Sequence, residues 1–325
     1  MYDQEKDFYR AQGINAFQSA RGKVFWQEAI SLLRGKSAEL WNFEEIKQRL
    51  RLREERYKGL QEVPLDRIVG SVGRYRDFTA SFLPKHEGMR DRWSRVYAQI
   101  NSMEGVPPIE LYQVDDVYFV RDGNHRVSVA REMGNKFIEA HVIELPTSID
   151  LEPGMSPEEL AVAESYAAFL DTTKLGQSRP HHQSIMLSQP AGYVDLLAHI
   201  HLHQLALEHA GQCEVSLGKA AADWYDNVYR PAVTLIRKYE VMRYFPGRTE
   251  GDLYLWLVEH LSQVKEAYGE ASKSASFSNA LTDLLSERRK PVPEDLRQER
   301  DRTVNLVRED VQAALEAYRA GQRVE

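Results

Sequence analysis

Five consecutive residues, Asp122, Gly123, Asn124, His125 and Arg126, place a carboxylate, an amide, an imidazole and a guanidinium inside the stretch FVRDGNHRVSVA. An apolar run ends at Arg121 and an apolar pattern resumes at Val127, which predicts a strand turning through glycine into a helix. Such a turn presents free backbone N–H groups, from Gly123 to Arg126, at the positive end of the helix dipole. That arrangement suits a phosphate. Arg126 can fork onto two phosphate oxygens, and His125 can donate a further hydrogen bond. Asp122 would repel a bare phosphate. It has a use if it holds a Mg²⁺ that bridges phosphates, or acts as a base toward a hydroxyl or water. The alternative is structural: a capped strand-to-helix turn with Asp122 and Arg126 paired across it.

Several elements must position this turn. VPPIELYQV upstream predicts a strand admitted by Pro107 and Pro108, and Asp115-Asp116 a hairpin turn into VYFV. Downstream, Val127, Ala130 and Met133 predict a helix closed by Gly134-Asn135, followed by the strand KFIEAHVIEL, which stops at Pro146. Residues 88–103 predict a polar helix with Trp93, Val96, Tyr97 and Ile100 on one side. Before it, VPLDRIVGSVGRYRDF predicts a short strand entering a glycine-containing loop that carries Arg74 and Arg76.

The stretch VPPIELYQVDDVYFVRDGNHRVSVAREMG resembles the core of the ParB and sulfiredoxin superfamily, and VPLDRIVGSVGRYRDF is similar to that family's first box. The resemblance covers residues 63–145, about a quarter of the chain. It implies nucleotide binding by Gly123, Asn124, His125 and Arg126, with Arg74 and Arg76 on the second side. Asp122 and His125 would be the catalytic candidates, and Asp122 the Mg²⁺ ligand. The family includes CTP-dependent DNA clamps, ATP-dependent sulfinic acid reduction, serine phosphorylation and nucleases, so the fold alone does not settle the chemistry. Sulfiredoxin carries a cysteine where Asn124 stands here, and ParB proteins carry Glu-Arg-Arg where this chain has Asn-His-Arg.

Around this core, residues 1–58 predict helix, with Ser37 capping a segment that includes Leu40, Trp41, Ile46 and Leu50. The end of that segment, KQRLRLREERYK, carries six basic and two acidic residues, a solvated helix face or a phosphate contact. Residues 150–325 predict helices apart from a loop near 172–192, with a capping box at Ser156-Pro157-Glu158-Glu159 and a helix opening at Thr249. Within them SLGKAAADWYDNVYRPAV carries a faint helix-turn-helix pattern. His199 and His203 lie one helical turn apart, at metal-ligand spacing, with no third ligand evident. Pro246-Gly247-Arg248-Thr249 forms a second turn before a helix, with Arg248 placed to bind an anion; the expectation is that the helical region closes over the nucleotide through this loop and that Arg248 binds its phosphate chain. This block is similar to one in uncharacterised bacterial proteins, which implies no chemistry.

The expected fold is therefore α+β: an N-terminal helical segment (1–60), a small mixed-sheet nucleotide-binding domain (61–148) and an all-helical C-terminal region (149–325). The chain has 325 residues, 42% hydrophobic and 28% charged, with a net charge of −7. That charge disfavours a surface built wholly to clamp nucleic acid, while leaving DNA as a partner through a local patch. Cys213 is the only cysteine, which removes disulfides and cysteine-rich zinc sites and fits a reducing compartment. The N-terminus is too charged for a signal peptide and no apolar run reaches a membrane span, so a cytoplasmic protein is expected. The functional expectation is a nucleoside triphosphate (ATP or CTP) bound with Mg²⁺, then hydrolysed or used as phosphoryl donor, in a homo-oligomer. The alternatives are a DNA-associated regulator with a nucleotide switch and a scaffold without turnover.

Overall fold

The computed structural model describes residues 2–33, 39–102, 105–268 and 276–298. The chain divides into two compact units, Met1–Glu164 and Ser165–Glu325. The first holds a six-stranded mixed sheet. Its strands are β1 (Trp41–Asn42), β2 (Arg56–Pro64), β3 (Ile68–Ser71), β4 (Ile109–Val114), β5 (Val117–Asp122) and β6 (Phe137–Glu144). Their order across the sheet is β1-β3-β5-β4-β6-β2. The β1–β3, β3–β5 and β4–β6 pairs are parallel, while β4–β5 and β2–β6 are antiparallel.

Alternation along the strands divides the core into two faces. Ile109, Leu111, Val120, Ala140 and Val142 point to one face and are fully buried. There they meet α3 (Arg90–Ile100) and α4 (Asn124–Glu132), with Trp93, Val127 and Val129 in the same cluster. Helix α1 (Tyr2–Leu33) packs outside α3, bringing Phe17 edge-on to Trp93 at 5.8 Å. Tyr112 and Phe119 point to the other face, against Phe43 of α2 (Phe43–Arg49), whose ring stacks on Tyr112 at 4.3 Å. The mixed sheet with its N-terminal helix and helical C-terminal region matches the expected fold class.

The segment 37–58 differs from its helical expectation. Ser37 lies outside the described residues. Helix α2 is capped instead by Asn42, which accepts from the Glu44 N–H at 3.1 Å. It ends at Arg49, and Arg51 turns the chain through a left-handed conformation at φ 57°. From Arg56 the chain is strand, because β2 finds an antiparallel partner in β6 and a solvated helix would leave that edge unpaired.

The second unit is helical: the later part of α5 (Pro157–Thr173), then α6 (Leu175–Ser178), α7 (Gly192–Gly211), α8 (Leu217–Trp224), α9 (Arg230–Lys238), α10 (Glu250–Tyr268), α11 (Phe277–Glu287) and α12 (Glu294–Gln298). The expected capping box at α5 forms, with Ser156 N–H donating to Glu159 at 2.7 Å and Glu159 N–H to Ser156 Oγ at 3.2 Å. The faint helix-turn-helix pattern is not realised, and the stretch packs as ordinary helix. Helices α8 and α9 run on through one π-helical turn, Tyr225–Tyr229, with no intervening loop. Pro231 has no N–H for the Asn227 carbonyl, and the wider turn, closed by Arg230 N–H on Tyr225 O, absorbs that loss. Among the described residues no helix is long and apolar enough to cross a membrane.

Candidate functional site

Strands β3 and β5 are parallel neighbours, so the loops leaving their carboxyl ends emerge side by side. In open α/β sheets that position is where ligands bind. The loop after β3 is fastened there first. Val72 N–H donates to Val120 O at 3.0 Å, and the buried Ser71 hydroxyl donates to the same carbonyl at 3.2 Å. Ser71 Oγ also accepts from Arg74 N–H at 3.4 Å. The loop then drops Phe78 into the core, edge-on to His125 at 5.5 Å.

The turn after β5 requires its glycine. Gly123 has φ 113°, and a Cβ there would lie 2.4 Å from Ile109 Cγ2. Gly123 O accepts from Val127 N–H at 3.0 Å and opens α4 without any side-chain cap. The first N–H groups of this nine-residue helix consequently have no intrahelical acceptor.

The structure brings together Asp122, Gly123, Asn124, His125 and Arg126, but not in equal freedom. Arg126 is mostly buried and committed. Its Nη1 donates to Pro108 O at 2.8 Å and also to Pro107 O, and its Nη2 pairs with Asp122. The pairing across the turn that the sequence left open as an alternative is therefore present. Asp122 stays exposed beyond this pair, with 63% of its side chain accessible. Arg74 faces the turn from the β3 loop and pairs with Asp77 at 3.2 Å. Arg76 is exposed, with its guanidinium over the Tyr75 ring at 5.4 Å.

Asn124 and His125 are unlike their neighbours. Asn124 is 8% exposed and His125 5% exposed, and neither Asn124 Oδ1 nor His125 Nδ1 has a hydrogen-bond partner. A buried polar atom without a partner costs ~1–3 kcal/mol, so both point to something that would complete them. Burial, reinforced by the Arg92 and Arg74 guanidiniums and opposed by Asp77, holds the His125 pKa down at about 4. The imidazole is neutral at pH 7 and the field around it is positive.

This carries a stability consequence with a fixed sign. An unfolded histidine titrates near 6.5, so between pH 6.5 and 4 the unfolded chain binds a proton that the folded one refuses. The contribution is whole above pH 6.5 and is lost as pH falls to 4, to the extent of about 3 kcal/mol. Denaturant unfolding at pH 7 and pH 4.5 should show wild type losing more stability than His125→Gln. Equal losses would place His125 in contact with solvent.

Two residues that help shape this site carried no signal in the sequence. Arg92 reads there as one more charge on a polar helix. Arg131, on the fourth helix, reads as an ordinary surface residue. It donates instead to Leu65 O, to Ile68 O at 2.8 Å and to Ala80 O at 3.4 Å, and lies over Phe82 at 4.9 Å.

Other sequence candidates resolve differently. The cations of residues 47–58 are engaged: Lys47 with Glu55 at 2.8 Å, Arg49 with Glu45 at 2.9 Å, Arg56 with Glu54 and Lys58 with Glu144, each at 3.2 Å. That stretch forms an ion-paired surface. His203 bonds Asp223 at 2.6 Å, and burial lowers the His199 pKa. Among the described residues no group of three or more histidine, cysteine or acidic side chains could hold a metal. Arg248 belongs to the second unit, where Nη1 reaches Ser188 Oγ at 3.5 Å, and Thr249 and Asp252 cap α10 reciprocally at 2.8 and 3.1 Å.

No protein-family model, curated protein or solved structure matches the chain.

Proposed function

We propose that the first turn of α4 binds the phosphates of a nucleoside triphosphate, ATP or CTP, and that the protein hydrolyses it or transfers a phosphoryl group. The observation that carries this reading is the pair of buried, unpartnered atoms, Asn124 Oδ1 and His125 Nδ1, on a helix start whose N–H groups are free. Phosphate oxygens would take those N–H groups. A ligand hydroxyl or an attendant water would serve Asn124. The likeness of the turn and the Arg74–Arg76 loop to the boxes of the ParB and sulfiredoxin superfamily supports the same ligand class.

Asp122 is the one carboxylate of the turn. One carboxylate suffices for a Mg²⁺ that takes its remaining ligands from phosphates and water, and falls short for a cation on its own. When bound, Mg²⁺ would neutralise charge on the phosphates. Arg126 orients the Asp122 carboxylate, and it also braces the turn through the Pro107 and Pro108 carbonyls. An alanine at position 126 would therefore disturb the fold as well as the ligand, and is a poor test.

Asn124→Asp is the better one. It keeps the side-chain shape and places a negative charge at a helix N-terminus, which favours the helix and repels phosphate. Calorimetric titration with ATP and CTP, with and without Mg²⁺, should show binding to wild type. The variant should bind at least ~30-fold more weakly at a temperature where circular dichroism shows it folded. A variant that binds as wild type does would falsify the assignment of phosphate to this turn.

A further inference from the structure

We propose that the outward face of α7 is the contact between two copies of this chain, the two helices lying antiparallel about a two-fold axis at Leu202. The inference concerns the second unit and is independent of the phosphate reading.

Helix α7 is apolar on both sides. Its inner side, with Tyr193, Leu196 and Ile200 buried, packs on α8 and α10. A solvated outer side would carry lysine, arginine or glutamate. Here it presents Val194, Ala198, Leu202 and Leu205, at helical spacing over about 17 Å. Val194 is 68% exposed and Leu205 37%. None of the 20 residues of α7 is lysine or arginine, and its acids are Asp195 and Glu208. Glu208 is drawn off to the following turn, where its carboxylate accepts from Val215 N–H at 3.0 Å. Asp195 is the carboxylate left on the outer side.

The pattern on this face complements itself when reversed. Exposed Asp195 lies as far before Leu202 as exposed His209 lies after it. Two antiparallel copies centred on Leu202 set each Asp195 carboxylate level with His209 of the second copy, whose imidazole N–H it accepts. The same operation seats Leu205 between Ala198 and Leu202 of the second copy, a large side chain beside a small one. Antiparallel packing also opposes the two helix dipoles, whereas a parallel pair would align them and bring Asp195 against Asp195. A contact of about four helical turns is small among specific interfaces, so a dissociation constant on the order of 10 μM is expected.

The test uses the full chain in sedimentation velocity from about 1 to 200 μM. Wild type should pass from monomer to dimer. Leu205→Glu should raise the dissociation constant at least ~100-fold while its circular dichroism stays that of wild type. Asp195→Lys should weaken the dimer roughly 10-fold, and adding His209→Asp should restore it. Leu60→Lys, on the exposed edge strand β2, should change nothing. Orientation is read by crosslinking in a Cys213→Ser background, with oxidised glutathione as oxidant. Leu202→Cys should give an interchain disulfide, because the axis brings this position against itself. Val194→Cys should give none, since its two copies stand ~24 Å apart. A wild type that stays monomeric throughout overturns the proposal. So does a dimer that survives Leu205→Glu, a dimer lost to Leu60→Lys, or crosslinking at position 194.

Discussion

Replacing Arg131 with methionine is expected to lower the stability of the fold by about 3 kcal/mol, although the residue touches no proposed ligand. Burial depresses the Arg131 pKa to about 10, so the side chain is still a cation at pH 7. It has no carboxylate partner in its hydrogen bonds. Three backbone carbonyls, of Leu65, Ile68 and Ala80, and the Phe82 ring hold it instead. Methionine fills much of the volume and leaves carbonyls without their charged donor, at ~1–3 kcal/mol each, partly offset by relief of the buried charge. Lysine should lose less than methionine, since it keeps the charge but cannot fork across three acceptors. Urea unfolding at pH 7 measures both. A methionine variant within 1 kcal/mol of wild type would mean that water already serves these carbonyls. Because Arg131 ties α4 to the start of β3 and to the loop that carries Arg74 and Phe78, the variant should also bind phosphate more weakly while folded.

Gly123→Ala should destabilise the protein by a similar ~3 kcal/mol and abolish anion binding. Two costs add. The φ of 113° disfavours any L side chain, at about 1–2 kcal/mol. The new methyl would lie 2.4 and 2.8 Å from Ile109 Cγ2 and Cβ, and Ile109 is fully buried on a central strand with no room to withdraw. Forcing that overlap costs a further ~1–3 kcal/mol and rotates the first turn of α4 away from its position. Gly134 supplies the comparison. It also has positive φ, 77°, but nothing lies within 4 Å of its missing Cβ. Gly134→Ala should therefore cost only ~1 kcal/mol and leave binding intact. If the two alanines prove equivalent in unfolding and titration, backbone strain alone governs position 123, and the close approach of Ile109 is immaterial.

Much of the sheet was legible where local chemistry and tertiary pairing agree. Pro107-Pro108, Asp115-Asp116 and Gly134-Asn135 bound β4, the hairpin turn and α4 where the sequence places them. The misread segment was KQRLRLREERYK. Good helix formers fill it, yet β6 offers its backbone a partner, and pairing outweighs a propensity of tenths of a kcal/mol per residue. The helix N-terminus at Gly123 was equally readable, because glycine and an apolar restart are local signals. The commitments of its side chains were not. Arg126 answers to carbonyls nineteen and eighteen residues away, and Trp93 meets Ser128 across thirty-five residues of sequence. Such relations depend on how helices stack, which no local pattern encodes.

The placement of β1 and β2 on opposite edges of the sheet also limits the length of the chain between them. Both strands run in the same direction, and through the ladder Asn42 stands level with Gly59, three residues into β2. From the end of β1 the backbone must cross five inter-strand gaps of ~4.8 Å and step back about 10 Å, roughly 26 Å in all. The seven residues of α2 supply about 10 Å and the seven links from Arg49 to Arg56, if fully drawn out, about 24 Å more. The slack is about 8 Å, the reach of two to three residues. Phe43, Ile46, Leu50 and Leu52 are buried along this span, which crosses the sheet from one edge to the other. Deleting three residues from 50–55 would leave it too short to join both edges, whereas added residues could bulge into solvent. Variation in the length of this segment should therefore run almost entirely toward insertion.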